Sequence, residues 1–599
     1  MPPFALRILA ACALLVAAPG STDRTVLKIA GLGDCERVTK DGPVPESPRF
    51  WNPRTRTLTL HGARNEVVAS QLILTAGRGD VKDVDVEVGD LRGAGRIDLR
   101  RHLTLYREVY QYVENGDWSW GPPSRVLPSR RWYPDVLVPF VDPYSKDPRR
   151  VGAPFDVTAV TGPNQGVFLD LWIPREAPPG RYSAPIRVRA GRALLATATL
   201  QLTVHDIRLP DETHVDAFGE LYGHAYRSHG SPYEKGSDAW RRIAARYHQS
   251  AHAHRMVVQE RDGAGPDFGT SDWDAFYGPV LDGSLFSEAR GYAGPGLGTG
   301  VPFFRAPLAQ AYDGHAPDFD ASELEAYTRL AAAFGRHVRE RGWTKARFFA
   351  YVVDEAPTDA RTRENERRLQ AALDAGTAPG GLPLLWVSHQ NPATLASDPS
   401  RDRRGLTRWW VPNGGACDPD FLKPRIAAGE TVWFYHHGHP AIGVHGVNAT
   451  GVELRTWGTI SWRYGLHGSF VWAVDFGDPE RPLERPNYKK GETRWGNGVL
   501  FYPGARLPDI GLSPIDGPLP SLRLKAYRRG LQDYEYAWLL AKSGKREIAD
   551  AIIRRVIPVA LTEAKTPGAP PWSTDVNDWY RMREELAAAL TTAPEPRGR

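Results

Sequence analysis

The chain has 599 residues, of which 75 are basic and 70 acidic, giving a formal charge of +5 at neutral pH. This length allows roughly two to four domains, and the even spread of charge, without a long basic run, argues against nucleic-acid binding. Aromatic residues make up 10% of the chain. Such rings fill large cores, and they also suit the flat faces of sugars.

The N-terminus has the pattern of a secretory signal peptide, predicted over residues 1–21. Arg7 precedes an apolar stretch from Ile8 to Ala18, which is too short to span a membrane as a stable helix. Cleavage is expected between Ala18 and Ser21, which predicts a secreted or periplasmic protein without a stable membrane span. A lipid on Cys12 is the second alternative, disfavoured because little apolar chain precedes it.

Residues 22–211 predict a β-sandwich domain. Short runs of alternating polarity are separated by Gly, Pro and Asp, the spacing of an antiparallel sandwich. Leu209 to Asp211 has the composition of a linker. The predicted strands are Thr57–His61, Val67–Thr75, Val81–Val88, Leu103–Val113, Gly166–Ile173, Tyr182–Ala190 and Leu194–Val204.

Residues 212–542 predict a (β/α)8 barrel of the TIM type, because strands now alternate with helical stretches. The predicted strands are Val215–Leu221, Met256–Gln259, Val301–Phe304, Ala346–Val353, Leu384–Val387, Thr407–Val411, Thr431–Tyr435 and Phe470–Val474. The predicted helices are Ser237–His254, Ala321–Arg341, Ala360–Ala375, Asp418–Ala428, Val452–Tyr464 and Ser521–Lys542.

The remaining segments complete a multidomain β plus α/β protein. Residues 260–320, rich in Gly, Asp and Tyr, are expected to form a long loop on the active face. Residues 543–599 predict a C-terminal helical cap and tail, with helices over Arg546–Leu561 and Val576–Thr591 and frayed residues from 592 onward.

The most informative feature is the pair Asp354 and Glu355, which ends the apolar strand Ala346–Val353. Ligands bind beyond the carboxyl ends of strands in parallel, helix-covered sheets. Neighbouring strand residues normally point to opposite faces, but the break at Ala356 and Pro357 allows both acids to reach one pocket. Two such carboxylates are expected to divide into a proton donor and an anion. The alternative is that the pair caps the following helix.

The seventh predicted strand, Thr431–Tyr435, bears on the source of the nucleophile, because no acidic residue follows its end. Many retaining barrel glycosidases place a carboxylate nucleophile there, and its absence favours a substrate that supplies its own nucleophile, as 2-acetamido sugars do. Asp354 would then stabilise the acetamido group, and Glu355 would act as acid and base.

Other polar and aromatic residues at the predicted strand ends are candidate sugar-binding residues, although each also suits packing. These are Tyr351, Trp386, His389, Asn391, Trp410, Asn413, Tyr435, His437, Trp472 and Asp475. His436, His437, His439 and His445 raise the question of a metal, but their spacing lacks an accompanying carboxylate. We therefore expect no metal and no cofactor, and hydrogen bonding to sugar hydroxyls as the use of these histidines.

Several motifs together resemble those of secreted bacterial proteins that carry the domain of unknown function 4091, which are similar to glycoside hydrolase family 123. The motifs are Arg64–Glu66, Pro178–Tyr182, Val353–Pro357, Gly498–Gly504, Ser521–Arg523 and Arg528–Tyr536. The resemblance implies an exo-acting β-N-acetylgalactosaminidase that uses an adjacent Asp-Glu pair in substrate-assisted, retaining hydrolysis. By this resemblance Asp354 and Glu355 take the roles argued above.

Three functions follow from the sequence. The first is a glycosidase that cleaves a β-linked 2-acetamido sugar of a glycan or glycoconjugate, with N-acetylgalactosamine as the expected sugar. The second is a two-carboxylate glycosidase for another sugar, with Glu355 as acid and base and with Asp475 or Glu220 as nucleophile. The third is a non-catalytic carbohydrate-binding or envelope protein.

Overall fold

The computed structural model describes most of the chain beyond its N-terminus. The described residues are 26–114, 126–159, 162–223, 228, 235–261, 265, 267–308, 312–377, 381–478, 480–485, 495–567 and 570–591. The predicted signal peptide, the alternative lipid site at Cys12 and the predicted frayed end from 592 onward lie outside these residues.

The N-terminal region consists of two β-sheets that enclose apolar side chains. Its strands are β1 (Leu27–Gly33), β2 (Trp51–Asn52), β3 (Thr57–Arg64), β4 (Val67–Ala76), β5 (Val81–Val88), β6 (Leu91–Gly93), β7 (Arg96–Ile97), β8 (Leu103–Val113), β9 (Arg131–Pro139), β10 (Phe155–Val157), β11 (Asn164–Trp172), β12 (Gly180–Ala190) and β13 (Ala193–Arg208). A short helix, Leu99–His102, precedes β8.

The two N-terminal sheets differ in how they are covered. One has the order β1-β4-β11-β8-β9, and the other runs β10-β5-β12-β13-β3-β2, with β6 and β7 beside β12. In β12 buried and exposed residues alternate, as expected for a sheet with one face in solvent. In β4 nearly every residue is buried, so the first sheet is covered on both faces.

The following region contains parallel strands separated by helices. Its strands are β14 (Asp216–Leu221), β15 (Val257–Glu260), β16 (Phe303–Arg305), β17 (Tyr312–Asp313), β18 (Arg347–Phe349), β19 (Val353–Asp354), β20 (Leu385–Ser388), β21 (Trp409–Pro412), β22 (Thr431–Tyr435), β23 (Gly468–Val471), β24 (Phe501–Pro503) and β25 (Pro518–Pro520). All pairings are parallel except β24 with β25.

These strands form a six-stranded sheet with the order β15-β14-β23-β22-β21-β20 and two parallel pairs, β16 with β18 and β17 with β19. A bridge from Ala350 to Leu384 connects the β18 segment to β20. On the other side the Gln259 side chain donates to the carbonyl of Arg305 and accepts from its N–H, both at 3.0 Å. Among the described residues no main-chain ladder joins β15 to β16, so the closed (β/α)8 barrel stays a prediction.

The helices of this region and of the C-terminal part are Asp238–Ala253, Ser271–Asp282, Ala321–Arg341, Ala360–Gly376, Pro392–Leu395, Pro419–Ala427, Arg455–Tyr464, Leu522–Lys542, Arg546–Val556 and Val576–Thr591. They agree with the predicted ones to within three residues apart from three: Ser271–Asp282 and Pro392–Leu395 were not predicted, and Arg546–Val556 ends five residues before its predicted end. Within the described ranges, no helix combines the length and the apolar character needed to cross a membrane.

The long loop predicted over residues 260–320 is wrong in part, because it contains the helix Ser271–Asp282. Thr270 caps the start of this helix and Gly283, at φ +86°, ends it. Trp273, Phe276, Tyr277 and Val280 are buried at helical spacing, a period that the surrounding Gly and Asp residues obscured. The helix predicted over Arg546–Leu561 ends earlier, at Val556, and Leu561 begins a separate 3₁₀ turn.

The motifs that carried the family resemblance lie largely at the contact between the N-terminal sheets and the helix Leu522–Lys542. Arg523 binds Asp135 through two hydrogen bonds of 3.0 and 2.9 Å. Glu66 accepts hydrogen bonds from Arg529 at 3.0 Å and from Tyr536 at 2.6 Å. All these side chains are buried. These motif residues therefore connect the N-terminal sheets to the helix Leu522–Lys542. Asp354 and Glu355, in contrast, line a cleft.

Candidate active site

An open cleft of about 230 Å³ lies at the carboxyl ends of the parallel strands. Its lining comes from the ends of β14, β15, β19, β20, β22 and β23 and from residues next to them. The lining residues are Glu220, Tyr222, Arg261, Tyr351, Asp354, Glu355, Val387, His389, Tyr435, His436, Phe470 and Trp472. This end of a parallel, helix-covered sheet is where ligands bind.

A larger cavity, of about 560 Å³, lies at the opposite ends of the strands. Met256, Val301 and Lys345, which line it, precede β15, β16 and β18. In parallel, helix-covered sheets ligands bind at the carboxyl ends of the strands and not at this end. The smaller cleft is therefore the candidate active site.

Asp354 and Glu355 both face the cleft although they are consecutive. Asp354 is the last residue of β19, and Glu355 has φ +46°, in the left-handed region. This conformation is costly for a residue with a Cβ, and active sites are among the places where such strain is found. It turns the chain so that the second carboxylate enters the same cleft as the first.

The capping alternative for the pair is wrong. The helix Ala360–Gly376 begins with Asp359 as its N-cap, and the carboxylate of Asp359 accepts a hydrogen bond of 2.8 Å from the Thr362 N–H. The acids of the pair lie before this cap and face the cleft.

Glu355 forms a closed triangle of hydrogen bonds with Tyr435 and His389. Tyr435 Oη donates to Glu355 Oε1 over 2.6 Å, and His389 Nε2 lies 2.7 Å from Glu355 Oε2. The third side joins His389 Nδ1 to Tyr435 Oη at 3.0 Å. Tyr435 is buried, whereas the side chain of His389 is 51% exposed at the cleft.

The triangle determines the charges on its members. Burial raises the pKa of Glu355, but hydrogen bonds from His389 and Tyr435 outweigh burial and hold it below its usual value. The hydrogen bond with Glu355 raises the pKa of His389, against the opposing effect of partial burial. We expected the acid of the pair to hold its own proton, but without a bound sugar these shifts favour a carboxylate at Glu355 and a proton on His389.

Asp354 is paired with a buried tyrosine. The Tyr351 hydroxyl hydrogen-bonds to Asp354, and burial together with the charge of Asp354 raises the pKa of Tyr351 far above its usual value. Because Tyr351 stays protonated, it acts as a hydrogen-bond donor that holds Asp354 in place.

Glu220 lies across the cleft but is tied to arginines. It is 2% exposed, and Arg305 Nη1 donates to its Oε1 over 2.5 Å. Arg261 approaches its other oxygen at 4.0 Å and lies over the ring of Tyr222, 4.6 Å from the centroid. The charge of Glu220 is therefore compensated within the protein.

The structure brings some of the predicted sugar-binding residues together at the cleft and places others elsewhere. Tyr351, His389, Tyr435 and Trp472 line it with the acidic pair. Trp472 is half-buried and donates from Nε1 to Asn497 over 3.0 Å, which leaves its ring beside the opening.

The remaining candidates make other contacts. Trp386 and Trp410 pack edge to face at 5.4 Å between the sheet and its helices, and Trp410 donates to Glu430. Asn391 caps the helix Pro392–Leu395. His437 contacts the carbonyl of its neighbour Gly438.

Asn413 and Asp475 support the cleft from behind. Asn413 Nδ2 donates over 2.5 Å to the carbonyl of His436, which lines the cleft. Asp475 is 3% exposed, and its Oδ1 accepts from the Tyr222 N–H at 2.7 Å. Each fixes the backbone of a lining residue.

Sequence reasoning missed Tyr222 and Arg261 as lining residues. Tyr222 directly follows the predicted strand Val215–Leu221, and Arg261 lies two residues after the predicted strand Met256–Gln259, which in the structure extends to Glu260. Extending the candidate set two residues beyond every predicted strand end would have included both.

The histidines near β22 have separate protein partners. His439 Nε2 lies 2.8 Å from Glu453, and His445 is fully buried, which lowers its pKa well below the usual value. In the part of the chain that the structure describes, no three His, Cys, Asp or Glu side chains are grouped so as to hold a metal ion.

This chain resembles known proteins both in a family model and in a solved structure. Residues 315–540, which include the acidic pair, match the family model of the glycoside hydrolase 123 catalytic domain. A family 123 glycoside hydrolase from Clostridium perfringens, studied for the hydrolysis of glycolipid glycans, has a similar structure, with a TM-score of 0.64 at 12% identity over 94% of this chain and 98% of that one. A search of curated proteins gives no match.

Two other solved structures are much less similar. A Bacteroides ovatus xyloglucanase of family 5 aligns with a TM-score of 0.27 at 8% identity, over 80% of this chain and 99% of that one. A family 39 glycoside hydrolase from Bacteroides cellulosilyticus aligns with a TM-score of 0.31 at 11% identity, over 80% and 81%. These scores are too low to bear on fold or function.

The match to the family model and the shared fold together support a glycoside hydrolase similar to those of family 123, and hence a glycan substrate.

Proposed function

We propose that the protein is a secreted glycosidase that cleaves a β-linked 2-acetamido sugar, with N-acetylgalactosamine as the first candidate, by substrate-assisted retaining catalysis in a (β/α)8 barrel. The observation that carries this proposal is that Asp354 and Glu355, consecutive in sequence, both line one cleft at the carboxyl ends of parallel strands. The choice of sugar rests on the resemblance to family 123.

The chemistry needs one anion and one proton donor. The acetamido oxygen of the sugar attacks the anomeric carbon as the bond to the leaving oxygen breaks. Asp354, held by Tyr351, stabilises the amide N–H as positive charge develops in the oxazolinium ring. Glu355 protonates the leaving oxygen and then, as a carboxylate, takes a proton from the water that opens the ring.

The contacts of the other carboxylates disfavour a protein nucleophile. Asp475 is not among the residues that line the cleft and accepts the N–H of Tyr222. Glu220 lines the cleft, but its salt bridge of 2.5 Å to Arg305 lowers the nucleophilicity of its oxygen. Glu220 remains the residue to test for the two-carboxylate alternative.

The proposal is tested with aryl β-glycosides of N-acetylgalactosamine, N-acetylglucosamine, galactose and glucose. The enzymes are the parent, Glu355→Gln and a matched control, Glu364→Gln, which makes the same exchange at an exposed helix position. We expect cleavage of acetamido sugars alone, a loss on the order of 10² to 10⁴ in Glu355→Gln, and parental rates in the control.

Two other outcomes would overturn the proposal. Cleavage of the plain galactoside or glucoside requires a protein nucleophile, and Glu220→Gln would then identify it. The second outcome is that the parent binds glycans, Glu355→Gln binds them equally well, and neither hydrolyses any substrate. The protein would then be a non-catalytic carbohydrate-binding protein.

A further inference from the structure

We propose that His389 is a positioning residue that holds the catalytic proton for Glu355, so that the two side chains act as one acid with a single shared proton. This inference rests on the proposed glycosidase function. It gives His389 a role in that function, which is to hold the proton that Glu355 later transfers.

The geometry of the triangle determines where the hydrogens lie. Tyr435 uses its only hydrogen to donate to Glu355 Oε1, so its oxygen can only accept from His389 Nδ1. With Glu355 ionised, its Oε2 can only accept from His389 Nε2. Both ring nitrogens of His389 therefore carry hydrogen, and the ring is an imidazolium.

The same triangle also fits the catalytic form of Glu355. If the proton on His389 Nε2 crosses the 2.7 Å contact to Glu355 Oε2, the carboxyl group becomes the donor and Nε2 the acceptor. The bonds from Tyr435 to Glu355 and from His389 Nδ1 to Tyr435 keep their directions. One proton moves and no other hydrogen bond changes.

The charges around His389 favour a proton in this place. Asp354 and Glu355 act on it from the segment after β18, while Tyr435 contacts it and His437 interacts with it from the end of β22. His436 lines the same cleft and lowers the pKa of Glu355. Glu355 and Asp354 both raise the pKa of His389. Burial lowers the pKa of His437, and the charge of His389 lowers it further, so His437 does not compete with His389 for this proton.

A bound sugar covers the cleft and removes water from Glu355, which favours its neutral form. The proton then moves from His389 to Glu355 and on to the leaving oxygen as the glycosidic bond breaks. His389 becomes neutral and Glu355 a carboxylate. When water opens the oxazolinium, its proton returns to Glu355 and its hydroxyl forms the new bond at the anomeric carbon, so the pair again holds one proton.

The first test compares His389→Gln with the parent on phenyl and dinitrophenyl β-N-acetylgalactosaminides. Glutamine still donates a hydrogen bond but holds no exchangeable charge. We expect kcat to fall on the order of tenfold or more for the phenyl substrate, which needs the proton, and about twofold or less for the dinitrophenyl substrate, which does not. His337→Gln, which removes another His-carboxylate pair on the helix Ala321–Arg341, is the control and should show neither change.

The second test is the pH profile of kcat/KM for the phenyl substrate. In the parent the pair keeps its proton until pH exceeds the raised pKa of His389, so activity falls only above that pH. In His389→Gln the proton is held by the carboxyl group alone, and the basic limb should move to lower pH.

A third measurement does not depend on turnover. NMR titration of labelled histidine should show both His389 nitrogens protonated at neutral pH in the parent and a lower His389 midpoint in Glu355→Gln, because the compensating charge is gone. Three results would each contradict the shared proton. They are an equal loss of kcat for the two leaving groups in His389→Gln, a basic limb of kcat/KM at the parental pH in that variant, and an unchanged titration midpoint of His389 in Glu355→Gln. A parent that cleaves only plain glycosides would overturn the acetamido proposal, and the leaving-group comparison would then be made on those glycosides.

Discussion

Glu355 follows Asp354 directly in the chain, yet both carboxylates face one cleft because the backbone of Glu355 is in the left-handed region, at φ +46°. An extended strand would send the second side chain to the opposite face. The helix that follows is capped independently by Asp359, so neither acid of the pair is needed for local structure. The strain at Glu355 is explained by its position in the cleft.

Asp354→Asn is expected to slow hydrolysis of every 2-acetamido substrate by a similar factor, whatever the leaving group. The variant keeps the shape of the side chain and loses the charge that stabilises the forming ring. Rates for phenyl and dinitrophenyl N-acetylgalactosaminides would measure this. A loss confined to the phenyl substrate would mean that Asp354, and not Glu355, supplies the proton.

Tyr435→Phe removes the hydrogen bond to Glu355 Oε1 and leaves the ring in its buried position. Because this bond stabilises the carboxylate, its loss should raise the pKa of Glu355. Hydrogen bonds to charged groups contribute about 1.5–3 kcal/mol, so the shift should be large enough to resolve by NMR titration of a labelled Glu355 carboxyl carbon in the parent and the variant. A Glu355 pKa equal to the parental one would show that Tyr435 does not set the charge of Glu355.

Glu66→Gln should destabilise the fold by up to about 3–5 kcal/mol, because it removes one of the carboxylates that compensate two buried arginines; the others are Asp34 for Arg529 and Asp533 for Arg583. Arg529 and Arg583 both donate to Glu66, which is fully buried. The free energy of unfolding in denaturant measures the loss. The control is Glu584→Gln, which breaks a surface pair with Arg49 and should cost about 1 kcal/mol or less. Equal losses of unfolding free energy in the two variants would show that the buried contacts of Glu66 stabilise the fold no more than a surface pair does.

Gly458→Ala should destabilise the contact between the helices Arg455–Tyr464 and Leu522–Lys542. A Cβ at Gly458 would lie 2.3 Å from the carbonyl oxygen of Gly530, and relieving such overlap costs about 1–3 kcal/mol. Gly335→Ala is the control, since its Cβ would meet Thr377 at 3.5 Å, and alanine favours the helix by about 1 kcal/mol. The unfolding free energy should therefore fall in Gly458→Ala and rise in Gly335→Ala, and a rise in both would show that the two helices can move apart without cost.

The sequence predicts the acidic pair and most of the scaffold because both depend on local patterns. The apolar run before Asp354, the turn after Glu355 and the alternation of strands and helices are visible without coordinates. Thr431–Tyr435 and Ala321–Arg341 begin and end where predicted. The helix Ser271–Asp282 was missed because its glycine-rich and acidic surroundings concealed its period.

The rest of the site depends on which way each side chain points. Trp386 and Trp410 were candidates for stacking against a sugar ring. They are register partners in adjacent strands, and their side chains pack against each other on the face of the sheet that the helices cover. Val387, one residue after Trp386, lines the cleft instead. The triangle of Glu355, His389 and Tyr435 joins three separate segments, and no local pattern in the sequence indicates that they meet.

The most direct test of the central claim is inhibition by a thiazoline that mimics the oxazolinium of N-acetylgalactosamine, measured for the parent and for Asp354→Asn. Substrate-assisted catalysis predicts that the parent binds this compound far more tightly than the free sugar and that Asp354→Asn loses most of the difference. Equal, weak binding by both, together with covalent trapping of the parent at Glu220 by a fluorinated glycoside, would contradict the account and assign a protein nucleophile.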